Sequence, residues 1–125
     1  MLIDEIADYL AAQGVGTVEV DLFVGHLPAA PDTALAVFAT GGLPAGSYPL
    51  DEPTIQVRSR SASLVTAYER LAQVFAALQG LHHITLPGGT WLLNCLGMQS
   101  APTGLGRDEA DREEFVLNFR LVVRR

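Results

Sequence analysis

Hydrophobic and polar positions change their spacing several times along the chain, and each change predicts a new element. Leu2, Ile6 and Leu10 recur at helical spacing with acidic residues between them, and Gly14 and Gly16 follow. Acidic side chains favour the first turns of a helix because of its dipole, and glycine commonly ends one. We therefore predict a helix at the start of the chain.

Alternation with a period of two then predicts strands. It runs through Thr17–His26, whereas Thr33–Thr40 is a second predicted strand in which nearly every residue is apolar. A continuous apolar run of this length is typical of a strand that is buried on both faces. We expect that of the second strand.

A Gly/Pro-rich segment, Gly41–Glu52, predicts a loop and leads without a break into a third strand. On this strand Ile55 and Val57 alternate with Arg58 and Arg60. One face is therefore expected to pack on the core, and the arginine face is available for polar contacts.

A second helix is predicted over Leu64–Leu78, with Ser61 or Ser63 as its N-cap. Its expected apolar stripe consists of Leu64, Tyr68, Leu71, Phe75 and Leu78.

The last third of the chain predicts a hairpin and one long strand. His82–Leu86 and Thr90–Leu96 flank the turn sequence Pro-Gly-Gly. Gln99–Asp111 is irregular, and Glu114–Arg124 alternates strictly, with an apolar face that begins at Phe115. The order α-β-β-β-α-β-β-β predicts one α+β domain, residues 1–125, with two helices on a mostly antiparallel sheet.

Composition adds an expectation of self-association. Only 18% of the residues are charged, against about 25% in a typical domain, so neighbouring subunits are expected to cover part of the surface. A loop-rich monomer is the alternative. The net charge of −6 argues against tight binding to duplex DNA, and no apolar run is long enough to span a membrane.

Candidate catalytic and ligand-binding chemistry is weak. His82 and His83 are adjacent on a predicted strand, where side chains point to opposite faces, and Cys95 lies among leucines as core cysteines do. The acidic residues from Asp108 to Glu114 lack the spacing of a calcium loop; they are either a solvated loop or partners for arginines of a neighbouring subunit. We expect no catalytic residue, no metal site and no cofactor.

Three strings carry a family resemblance: LPAGSYPLDEPTIQVRSRS, ITLPGGTWLLNC and the closing EFVLNFRLVVRR. Together with the second helix they resemble the minor capsid proteins of long-tailed phages, which include the tail terminators, also called tail-completion proteins. The resemblance extends over essentially the whole chain.

The resemblance implies a structural virion protein, made in the host cytoplasm, that forms a ring at the head–tail junction. The ring, expected to be a hexamer, stops polymerisation of the tail tube protein and joins the tail to the head connector or stopper, and double-stranded DNA passes through it. A head-closure ring of the same particle is the first alternative. A small ligand-binding or enzymatic α+β domain is the second.

The two predicted loops and the arginine face of the sheet are the expected contacts with neighbouring subunits or the tail tube. The residues named for these contacts are Leu43, Tyr48, Leu50, Asp51, Arg58, Arg60, Leu105, Arg107, Asp108, Glu109 and Arg120.

Overall fold

The computed structural model of the chain describes residues 1–43 and 49–124. Within those residues two helices pack on one face of a seven-stranded sheet. The elements are α1 (Leu2–Ala12), β1 (Leu22–Val24), β2 (Ala34–Leu43), β3 (Leu50–Ser61), α2 (Leu64–Leu78), β4 (His82–Thr85), β5 (Trp91–Gly97), β6 (Thr103–Arg107) and β7 (Glu113–Arg124). The α+β class and the predicted order are confirmed, with β6 as an additional strand.

The sheet has the order β1-β2-β3-β7-β5-β4, and β1–β2 is the parallel pair. The long strands β3 and β7 form its centre and pair in one register from Ser61–Glu113 to Leu50–Arg124. Along one edge of β7, β6 pairs with the first residues and β5 with the last. β1 and β6 are therefore the outermost strands at one end of the sheet, and β2 and β4 are the outermost strands at the other.

The main core lies between the helices and the inner face of the sheet. The predicted apolar face of β7 is confirmed, since Leu117, Phe119 and Leu121 are fully buried there. Ala34 and Ala36 are buried on the outer face beneath Phe23. The first half of β2 is thus covered on both sides, as its apolar sequence predicts.

Two predicted boundaries are wrong. The strand expected over Thr17–His26 is reduced to β1, because Asp21 accepts the backbone N–H of Thr17 (2.7 Å) and Glu19 has a left-handed φ of 69°, which together make a turn. The loop expected over Gly41–Glu52 is partly strand. Gly42 allows this pairing, since a Cβ there would lie 2.4 Å from the carbonyl oxygen of Glu52.

The predicted stripe of α2 is wrong at its beginning. Ser63 caps the helix by accepting the backbone N–H of Thr66 (3.3 Å). Ala67 faces the sheet, where its carbonyl accepts a hydrogen bond from the Ser59 hydroxyl (2.7 Å). This close approach turns the helix so that Leu64 and Tyr68, 54% and 41% exposed, lie outside the core.

Candidate assembly surfaces

The outer face of the sheet carries an ordered polar row across β2, β3 and β7. The Arg58 Nε donates to the Gln56 side-chain carbonyl (2.8 Å), and the Gln56 amide donates to Asn118 Oδ1 (3.2 Å). The Arg58 guanidinium also lies over the Phe38 ring, 5.6 Å from its centre. These contacts fix Arg58 in one position without neutralising its charge, because no carboxylate of the described chain pairs with it.

Arg120 lies on the same face, opposite Thr54, and is exposed. It borders a shallow depression with Leu96 and Met98, which are 38% and 59% exposed. Within residues 1–43 and 49–124, Arg120 also makes no ion pair. The outer face therefore offers two unneutralised arginines beside exposed aliphatic side chains.

Arg60 is placed differently from the other two arginines, since only 3% of it is exposed. Its guanidinium donates to the backbone carbonyls of Pro31 (2.6 Å) and Asp32 (3.2 Å). Burial, followed by the nearby Arg112 charge, lowers the pKa of Arg60. Arg60 thus binds the segment before β2 to the sheet and is not available for contacts with another subunit.

The acidic segment after β6 is held by arginines of its own chain. The Asp108 carboxylate accepts the backbone N–H of Arg112 (2.9 Å) and its Nε (2.8 Å), and the hydrogen bond from the Arg112 backbone is the main reason for its lowered pKa. Arg107 binds Asp111 and Glu113, and hydrogen bonds to both carboxylates raise the pKa of Arg107. Most of these carboxylates therefore already have a partner within the subunit.

The remaining predicted contact residues lie in separate places. Leu43 is 66% exposed at the end of the β2–β3 hairpin, where Leu50 and Asp51 are half-buried. Leu105 is 51% exposed on β6, and Glu109 is exposed in the acidic segment. Tyr48 lies outside the described residues. The predicted set thus divides into the outer face, the hairpin end and the β6 side.

A groove beside α2 was missed by the sequence reasoning. It has a volume of about 550 Å³ and is lined by Leu64, Val65, Tyr68, Glu69 and Phe115. Tyr68 meets the Phe115 ring edge-on, with 5.6 Å between ring centres. A signal was present in the sequence, because Val65 is an apolar residue beside Leu64 that lies outside the stripe predicted to face the core.

The groove is open toward β6. Gly104 pairs with Phe115, and a Cβ at Gly104 would lie 3.4 Å from the Phe115 ring. Because Gly104 has no side chain, β6 places no side chain over the ring at this position. An apolar groove with one open side and one carboxylate can bind another apolar surface, and it offers few polar groups for orienting a small polar substrate.

Comparison with known families identifies the chain. The family model described as "Bacteriophage tail terminator protein" matches residues 9–125. The chain belongs to the bacteriophage tail terminator family. As a tail terminator family member it is a tail-associated structural protein of a phage-type virion.

The fold of this tail terminator family member is also found in a solved particle. A chain of the "Virion of native gene transfer agent (GTA) particle" matches with a TM-score of 0.62 and 19% identity, covering 95% of this chain and 86% of that chain. At this identity the similarity shows a shared fold. No curated protein sequence matches the chain.

No group of three or more His, Cys, Asp or Glu side chains in residues 1–43 and 49–124 is arranged to hold a metal ion. Neither α1 nor α2 is long and apolar enough to cross a membrane.

Proposed function

We propose that copies of this protein form a ring, expected to be a hexamer, at the head-proximal end of the tail. The ring ends polymerisation of the tail tube protein and joins the tail to the head connector or stopper. The observation that carries this proposal is the family match over residues 9–125. The role is structural, with no catalytic residue or cofactor.

The surface of the subunit supports self-association. Leu43, Leu64, Val65 and Leu105 are each more than half exposed. Isolated exposed apolar residues are common, but Leu64 and Val65 belong to one continuous groove, and such grooves often mark contact sites. A ring also needs two different complementary surfaces on each copy, and the hairpin end and the groove are separate surfaces of this kind.

The proposed contacts include the outer face and the β6 side. Arg58 and Arg120 are available to carboxylates of a neighbouring subunit or of the tube protein, since neither is neutralised within the described chain. The β6-side contact consists of Leu105 and Glu109, together with the outward side of Arg107 and Asp108. A ring retained after Arg58→Glu would remove Arg58 from this set.

The net charge is consistent with the passage of DNA. Each copy carries −6, and a ring multiplies that charge around its opening. Like charge disfavours tight contact with the phosphates of double-stranded DNA, so DNA can pass through the ring without being held.

The test is a tube-growth assay with tail tube protein from the same particle. Adding the purified protein should halt elongation and give tails that join heads, as judged by tube length in electron micrographs. Tubes that elongate equally with and without the protein would overturn the terminator role. Binding to heads but not to tubes would instead support the head-closure alternative.

A further inference from the structure

We infer that the outer face of the sheet in one copy packs against the helix layer of the next copy, so that opposite charges join the subunits. The basic surface is the arginine row, Arg58, Arg120 and Arg124. The acidic surface is the helix face, the exposed side of α1 and α2 with Asp4, Asp8 and Glu69. This inference rests on the proposed ring and specifies which layers of neighbouring subunits meet in it.

Within residues 1–43 and 49–124, every arginine that lacks an ion pair lies on the outer face of the sheet. The arginines that pair with a carboxylate of their own subunit are Arg70, Arg107 and Arg112. The others alternate with core residues along β3 and β7, and they are Arg58, Arg60, Arg120 and Arg124. Arg60 is covered, and the sequence contains no lysine. The arginine row is therefore the cationic surface that this part of the chain offers to a partner.

Aromatic rings hold two members of the arginine row in place. The Arg58 guanidinium lies 5.6 Å from the centre of the Phe38 ring, and that of Arg124 lies 5.8 Å from the centre of the Trp91 ring. The face of an aromatic ring attracts a cation but leaves its charge in place. Side chains that are already positioned lose less freedom when a partner binds them, so the row is prepared for carboxylates.

The arginine row is an extended surface. Arg58 pairs with Val116 of β7, and Arg120 lies midway between Val116 and Arg124 on that strand. The distance from Val116 to Arg124 is roughly 27 Å at the rise of a strand. By comparison, the 15 residues of α2 extend roughly 22 Å. The two layers are therefore of similar length, and contact between them is not confined to one groove.

The helix face carries the opposite charge. Asp4, Asp8 and Glu69 are exposed on the sides of the helices that lie away from the core. Among the described residues, Asp8 and Glu69 make no ion pair, and Asp4 pairs with the N-terminal amino group. Asp4 and Asp8 are also one helical turn apart, where like charges repel. A cation from a neighbouring copy would relieve that repulsion.

The placement of the two surfaces suits a ring better than a two-fold dimer. The helices cover the inner face of the sheet, so the helix face and the outer face lie on opposite sides of the subunit. Neither surface can pack on its own counterpart in a second copy, because like charges would then meet. A ring requires contact between two different surfaces, and these two attract each other although each copy carries a net charge of −6.

Duplex DNA is a poorer match for the arginine row than a second copy is. The net charge of −6 disfavours approach to phosphates. Glu52 also lies on the outer face, because it alternates along β3 with the inward-facing Ile55 and Val57. A carboxylate at that position opposes a phosphate, whereas a protein surface of mixed charge can accommodate it.

Two charge-reversal variants test the contact. The helix-face variant carries Asp4→Lys, Asp8→Lys and Glu69→Lys, and lysine is a good helix former. The outer-face variant carries Arg58→Glu, Arg120→Glu and Arg124→Glu. Each variant alone sets like charges against each other at every contact, so its native mass should fall to that of a monomer. Thermal unfolding checks that both variants are folded.

Mixing the two variants should restore assembly. When they alternate around a ring, every contact joins opposite charges, and such a ring closes only for an even number of copies, as in a hexamer. The matched control carries all six substitutions in one chain, which keeps the native net charge of −6. This control should form the ring on its own.

The native mass of the unaltered protein separates this inference from the proposed ring. If that protein forms a ring, a ring that persists in both variants, or variants that stay monomeric on mixing, would overturn the contact and leave the ring standing. A monomer at the highest soluble concentration would overturn both. If the outer-face variant keeps the ring mass but loses binding to a short DNA duplex, the row is a nucleic-acid surface and the inferred contact is wrong.

Discussion

Arg60 is expected to stabilise the subunit, whereas Arg58, two residues earlier on the same strand, is expected to be nearly neutral. Arg60→Met removes two charge-assisted hydrogen bonds to backbone carbonyls, each worth about 1.5–3 kcal/mol. It also removes one positive charge from the neighbourhood of Asp32, Asp108 and Glu114, while Arg112 still pairs with Asp32 and Asp108. Recovery of the desolvation cost of Arg60 offsets part of that loss, so we expect a destabilisation of about 3 kcal/mol.

For 125 residues the entropy of unfolding is about 0.26 kcal/mol/K, so this loss lowers the Tm by roughly 11 °C. Arg58→Met removes one half-exposed side-chain hydrogen bond and one cation–π contact, worth about 1 kcal/mol or less, or at most about 4 °C. Thermal unfolding followed by circular dichroism measures both. Equal shifts for the two variants would refute the assignment of Arg60 to the fold and of Arg58 to the surface.

Three further predictions concern single sites. Gly88→Ala should destabilise the protein by about 1–2 kcal/mol in urea unfolding, because its Cβ would lie 2.5 Å from Glu5 and disrupt the hydrogen bonds that Thr90 donates to the Glu5 carboxylate; an unchanged midpoint would contradict that packing. Cys95 should react with a thiol reagent at pH 8 only as fast as the protein unfolds, since burial keeps its pKa near 12; rapid reaction of the native protein would be inconsistent with this. Asp108→Asn should destabilise the protein at pH values above the ordinary aspartate pKa of about 3.9. The difference in stability from the native protein should vanish as the pH falls through the lowered pKa of Asp108. A difference in stability that does not depend on pH would exclude the ionised carboxylate as the cause.

Hydrophobic periodicity was sufficient to predict a strand where apolar residues dominated one of its faces. The alternation of β7 and the apolar run of β2 correspond directly to buried positions, and the Pro-Gly-Gly turn lies between β4 and β5 as predicted. The strand β6 could not be predicted, because its sequence Thr-Gly-Leu-Gly-Arg is exposed throughout and has no buried face to impose a pattern.

The candidate surfaces were harder to predict because they depend on orientation. The helical pattern of α2 was correct, but which side faced the sheet was decided by the close contact of Ser59 with Ala67. The same limitation applies to Arg60. Its alternation with Ile55 and Val57 correctly predicts the face of the sheet on which it lies, but does not predict that the segment Pro31–Asp32 covers it. Contacts between distant parts of the chain are not encoded in local periodicity.

The central claim is the ring at the head-proximal end of the tail. An electron cryomicroscopy reconstruction of the head–tail junction, with the protein located by its fold, tests position and symmetry together. The account predicts a closed ring of this chain directly on the last tube layer. Finding the protein elsewhere in the particle, or a mature junction that lacks it, would contradict the claim.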